Sequence, residues 1–95
     1  MRKIFLISLF TICYSHMANA DCYADYKAKK DEPLRLHYGV SKINTGLCKN
    51  REAIKLDLES RLRSSGWILL RLLDVFDNGG LNERRDSAGI YFLKY

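Results

Sequence analysis

Two cysteines set the frame in which the rest of this chain has to fold. Cys22 and Cys48 are separated by 25 residues (48 − 22 − 1), a spacing unlike the C-x-x-C of redox-active or zinc-binding pairs. The third cysteine, Cys13, falls in an N-terminal stretch expected to be removed, and the two that remain in a short exported chain read as a disulfide with only one possible pairing. Such a bridge closes a loop of about 27 residues and stabilises by roughly 3–4 kcal/mol on the chain-entropy estimate. A domain of this size has a net stability of only about 5 kcal/mol, so the bridge decides whether it stays folded.

The oxidising compartment that a disulfide needs is encoded at the N-terminus. Residues 1–20 have the build of a secretory signal peptide: a positive Met1-Arg2-Lys3, an uncharged stretch over 4–14, and a polar end closing in Ala18-Asn19-Ala20. Cleavage is expected between Ala20 and Asp21. The uncharged stretch is shorter than the ~20 apolar residues of a membrane span. Neither Cys13 nor Cys22 follows the small residue that lipid attachment requires, and no later segment is apolar enough to cross a bilayer. The working chain is then a single small domain over 21–95, with a core thin enough to need a covalent tether. The short signal and the absence of N-x-S/T after residue 20 point to the bacterial periplasm, with the extracellular medium as the alternative.

Removing the signal takes away Arg2 and Lys3. The balance becomes 14 Lys/Arg (16 − 2) against 11 Asp/Glu, a formal +3 rather than +5. These charges are interspersed rather than striped, so no nucleic-acid partner is expected.

Patterning predicts an α+β domain in the order α-β-α-β-β. Asp21 is placed to cap a short helix over 22–30, with Asp25 and Lys29 paired four residues apart. Pro33 ends it and biases Glu32 toward extended geometry. Over 34–40, Leu34, Leu36, Tyr38 and Val40 alternate with polar or small residues, as in a half-buried strand with His37 on its wet side. A loop at Asn44-Thr45-Gly46 leads past Cys48 to Asn50, a good N-cap. Ala53, Ile54, Leu58 and Leu62 then share one helical face, with Asp57–Arg61 and Glu59–Arg63 as surface pairs and Gly66 suited to the left-handed C-terminal position. Leu56 lies off that face.

Residues 67–76 (WILLRLLDVF) are the most apolar part of the domain. They read as a strand with Ile68, Leu70, Leu72 and Phe76 on one face, although their leucine content also suits a helix, and strict alternation puts Arg71 and Asp74 on opposite faces. Residues 81–88 are polar and could form one helical turn, and 89–95 read as a last strand. The expected architecture is a largely antiparallel, three-stranded sheet with the main helix on one face.

Reactive groups are sparse. There is no P-loop, G-x-G-x-x-G, G-x-S-x-G or H-E-x-x-H, so no cofactor, metal or nucleophile motif is present. His37 is the one histidine after residue 20. Asp74, inside an apolar strand, is solvent-facing, paired with an arginine, or shifted in pKa. Arg84 and Arg85 sit in the connection before the last strand, where an adjacent pair can grip an anion and where Glu83 and Asp86 can equally neutralise them. Tyr91 and Tyr95 fall on one side of the final segment and Phe92 on the other, which makes the tyrosines a candidate contact surface. The expectation is a non-enzymatic binding module of the bacterial cell envelope, contacting a protein or another envelope component. The alternatives are a small periplasmic hydrolase using Asp74 and His37, and a mildly cationic effector of anionic surfaces.

Overall fold

A computed structural model describes residues 21–95; the expected signal peptide, residues 1–20, lies outside the described residues. The fold is α+β. Three strands, β1 (Cys22–Lys30), β2 (Arg35–Ile43) and β3 (Ile68–Phe76), form one antiparallel sheet in the order β2-β1-β3. Helix α1 (Arg51–Ser64) packs on one face, and a short helix, α2 (Asn82–Ala88), packs on the other. Cys22 and Cys48 are disulfide-bonded with Cα atoms 5.9 Å apart. The bridge ties the start of the central strand to the loop that launches α1.

The segment 22–30 is this central strand, not the expected helix. Its alanines and lysines favour a helix locally, but its period-two pattern wins once both neighbours supply hydrogen bonds. Cys22, Ala24, Tyr26 and Ala28 all enter the α1-side core. The Asp25–Lys29 pair of the helical reading does not form; Lys29 meets Asp31 at 3.3 Å and Asp25 meets Arg84 at 2.9 Å. Glu32, expected to be extended, instead takes a left-handed conformation (φ 60°) in the turn between β1 and β2.

Helix α1 forms as its sequence predicts. The Asn50 side chain accepts from the Ala53 amide at 3.0 Å. At the other end Gly66 (φ 85°) closes a Schellman motif, with Gly66 N–H donating to Arg63 O at 3.0 Å and Trp67 N–H to Leu62 O at 2.9 Å. That motif delivers Trp67 into the core beside Leu62. Ile54, Leu58 and Leu62 are fully buried, each contributing about 2 kcal/mol through removal of apolar surface from water. Asp57 and Arg61 pair at 3.0 Å. Leu56 is exposed, and nothing in the structure explains it.

The expected apolar face of β2 divides: Val40 is fully buried and Tyr38 half-buried, but Leu34 and Leu36 are exposed, and His37, expected on the wet side, is buried. His37, Gly39, Ser41 and Ile43 share the α1 side with Ala28, Tyr26, Ala24 and Cys22, their partners in β1. Leu36, Tyr38 and Val40 lie on the second face. The reason is the neighbour across the ladder: Tyr26 lies over Gly39, where any Cβ would collide with its hydroxyl and approach its ring to 2.6 Å. The large side chain on β1 takes the space that β2 leaves empty.

Register shifts in the β1–β3 ladder set the phase of β3. They fall between Asp25 and Tyr26 and between Lys27 and Ala28, leaving Leu73 and Leu70 without a partner in β1. Leu69, Leu72 and Val75 consequently reach the α1-side core. Arg71 and Asp74 fall together on the second face, opposite Lys27 and Asp25. Strict alternation fails because the strand is irregular twice.

The segment 89–95 is not a fourth long strand. It opens with a 3-10 turn, Gly89–Tyr91, and meets the outer edge of β2 at one bridge, Val40 with Phe92, where Leu93 N–H donates to Val40 O at 2.7 Å. Positive φ at Gly89 (55°) and Leu93 (58°) interrupts extended geometry on both sides of the bridge. The tail wraps the sheet edge instead of extending it: Tyr91 and Tyr95 pack on the α1-side cluster, while Phe92 joins Tyr23, Val40 and Ala88 on the second face.

Candidate functional site

His37 is buried, 7% exposed, against the expectation of a surface position. It lies in an aromatic enclosure. Tyr91 stacks on it at 3.8 Å between ring centroids, Trp67 meets it edge-on at 4.3 Å, and Tyr95 closes a further side at 5.9 Å. Its Nε2 is hydrogen-bonded to the Tyr26 hydroxyl at 2.9 Å, and its buried Nδ1 has no hydrogen-bond partner. Burial, aided by the nearby Lys30 cation, lowers its pKa to about 4. The imidazole is therefore neutral at physiological pH. Burial likewise raises the Tyr26 hydroxyl well above the ordinary tyrosine range. Tyr91 and Tyr95 are half-buried, and Arg61 Nη1 donates to the Tyr95 carbonyl at 3.3 Å. The two tyrosines thus line the wall of the His37 enclosure.

Asp74 stands on the other face of the sheet from His37, as their β1 partners Asp25 and Ala28 require. The two do not converge. Asp74 is solvent-facing, with Arg84 Nη2 at 3.7 Å.

Arg84 is largely occupied. Its Nε donates to the buried Asp25 carboxylate at 2.9 Å, and its Nη1 donates to Gly80 O at 2.8 Å and to Glu83 at 3.0 Å. The guanidinium also lies 3.9 Å from the Phe76 ring centroid. Asp25 in turn accepts from the Tyr38 hydroxyl and the Asp74 amide, each at 2.8 Å. Burial first, and then the bond to Asp25, pushes the Tyr38 hydroxyl up to about 12. This network fastens α2 over the Tyr23–Asp25 end of the second face. Arg85 is exposed, with its guanidinium 4.4 Å from the Phe92 ring centroid.

The other half of the second face carries no helix. There a groove of about 310 Å³ is lined by Lys27, Leu36, Tyr38 and Leu70, together with Ala28 and His37, whose side chains belong to the α1 side. Leu36 is 66% exposed and Leu70 51%; Leu34 in the hairpin turn and Ile68 at the start of β3 are similarly open. Lys27 and Arg71 face each other across the β1–β3 ladder, and neither has a carboxylate within 4 Å among the described residues. The outer edge of β3 is partly closed by Arg51, whose Nη2 donates to Leu72 O at 2.8 Å and to Leu73 O at 3.2 Å.

No protein-family model, curated protein or solved structure matches this chain. Its own geometry carries the functional reading.

Among the described residues there is no group of three or more side chains suited to hold a metal ion, and no helix long and apolar enough to cross a membrane. Of the residues singled out from the sequence, Arg84 is built into the framework, Arg85 is free on the surface, and Tyr91 and Tyr95 enclose His37. The leucines of the open half-face were hidden from sequence reasoning, which assigned Leu34, Leu36 and Leu70 to the core. The one available signal was the glycine facing a tyrosine, Gly39 with Tyr26, and recognising it requires the strand register.

Proposed function

We propose that the chain is an exported, disulfide-stapled binding module of the bacterial cell envelope, working by surface contact rather than by catalysis. The observation that carries this reading is the uneven cover of the second sheet face. Helix α2 seals one half through the Asp25–Arg84 network, and the other half presents Leu34, Leu36, Ile68 and Leu70 to the outside. Adjacent exposed apolar side chains around a groove mark a contact surface in a small domain. The titratable groups favour this reading over hydrolysis. His37 is walled in by aromatic rings on one face, Asp74 lies on the other, and Asp25 is held by Arg84 and Tyr38.

Fractionation of cells expressing the full chain tests it. The expected product begins at Asp21, carries no free thiol, and is retained with the envelope fraction. Leu36→Asp/Leu70→Asp is expected to be processed and oxidised normally yet released from that fraction. Unprocessed chain in the cytosol, or equal retention of the double variant, would overturn the reading.

A further inference from the structure

The end of the molecule that carries the open half-face is cationic, although Lys30 and Arg35 lie over Trp67 on the opposite side of the sheet and Lys29 pairs with Asp31. The topology brings the end of β1, the β1–β2 turn, the C-terminus of α1 and the start of β3 to one end of the molecule. Within residues 27–36 and 62–71 lie Lys27, Lys29, Lys30, Arg35, Arg63 and Arg71, against Asp31 and Glu32, a net +4 (6 − 2). The whole of 21–95 carries +3, so the remainder is net −1. A balance that is mild in composition is concentrated by the fold.

Lys27 and Arg71 make the point locally. Like charges directly opposite each other on a sheet are destabilising, and no carboxylate of the described residues lies within 4 Å of either cation. An external anion offsets that repulsion. The exposed apolar groups beside them, among the described residues, are leucines and isoleucine; Tyr38, which also lines the groove, is half-buried with its hydroxyl held by Asp25. Protein interfaces are depleted in lysine, and their energetic centres are rich in aromatic residues and poor in leucine. Leucine interleaved with lysine and arginine is the composition of surfaces that enter a lipid headgroup layer.

We propose that this end of the sheet docks on an anionic phospholipid bilayer. Leu34, Leu36, Ile68 and Leu70 enter the headgroup–acyl boundary, and Lys27 and Arg71 lie against lipid phosphates. The inference rests on the binding-module reading above and names its partner.

Vesicle flotation with the processed chain tests the proposal. Binding to vesicles of mixed phosphatidylcholine and phosphatidylglycerol is expected, with none to phosphatidylcholine alone. It falls sharply toward ~1 M salt, where the Debye length shrinks to about 3 Å. Lys27→Gln/Arg71→Gln lowers partitioning by roughly thirtyfold, whereas Lys49→Gln/Lys94→Gln changes it little. Leu36→Asp/Leu70→Asp abolishes it. The glutamine variants keep the leucines, so they decide the matter even if the aspartate variant is poorly folded by circular dichroism. Absence of flotation with the anionic vesicles overturns the proposal, as does binding that is indifferent to salt or to Lys27→Gln/Arg71→Gln. If flotation fails while Leu36→Asp/Leu70→Asp still releases the chain from the envelope, the partner is a protein: the lipid inference falls and the binding-module reading stands.

Discussion

Acidification should loosen this domain through one side chain. In the unfolded chain His37 titrates near 6.5, whereas in the fold burial holds it to about 4. Between those values the unfolded state binds the proton and the folded state does not, so stability is fully present above pH 6.5 and is lost as the pH falls toward 4. The separation corresponds to about 3 kcal/mol at the acid limit and to roughly 2 kcal/mol at pH 5. The structural reason is visible at Nδ1. With Nε2 bonded to Tyr26 and aromatic rings on the remaining sides, an imidazolium would carry a second N–H with no acceptor. The Lys30 cation opposes protonation too. Urea melts between pH 7.5 and 4.5 measure the loss, and NMR of the imidazole protons reads His37 alone, because residues 21–95 contain no other histidine. Carboxylates titrate in part of the same range, so the decisive comparison is His37→Gln. This variant keeps a polar partner for Tyr26 and should be less stable at neutral pH, with a flatter pH dependence. An imidazole midpoint near 6.5 in the folded protein, or equal pH slopes for the two chains, would refute the argument.

Two further substitutions test the packing described above. Gly39→Ala drives a methyl into the Tyr26 ring and should cost about 1–3 kcal/mol, read as a lower urea midpoint; an unchanged midpoint would show that Tyr26 does not lie over β2. Arg84→Ala strands the buried Asp25 carboxylate and should cost on the order of 3 kcal/mol, whereas Arg85→Ala, which removes only a contact with the Phe92 ring, should cost well under 1 kcal/mol. Equal thermal shifts for the two would sink the division of roles between these arginines.

The sequence by itself determined the parts of this protein that depend on local chemistry or on covalent pairing. Cys22 and Cys48, the two cysteines beyond residue 20, could pair with each other in only one way. Asn50 and Gly66 placed both ends of α1, and Ile54, Leu58 and Leu62 identified its buried stripe. The apolar run 67–76 is a strand, and the α+β class follows from these elements. Tertiary structure alone decided which way the strands face. Residues 22–30 have enough alanine and lysine to suit a helix, and only pairing on both sides makes them the centre of a sheet. The alternation in β2 was legible but its phase was not, because phase depends on what stands opposite: a tyrosine from β1 above a glycine draws His37 inward and turns Leu36 out. In β3, two register shifts bring Arg71 and Asp74 to the same face. A one-residue change in phase exchanges core for surface along a strand. For that reason the proposed contact surface consists of leucines that the sequence pattern assigns to the interior.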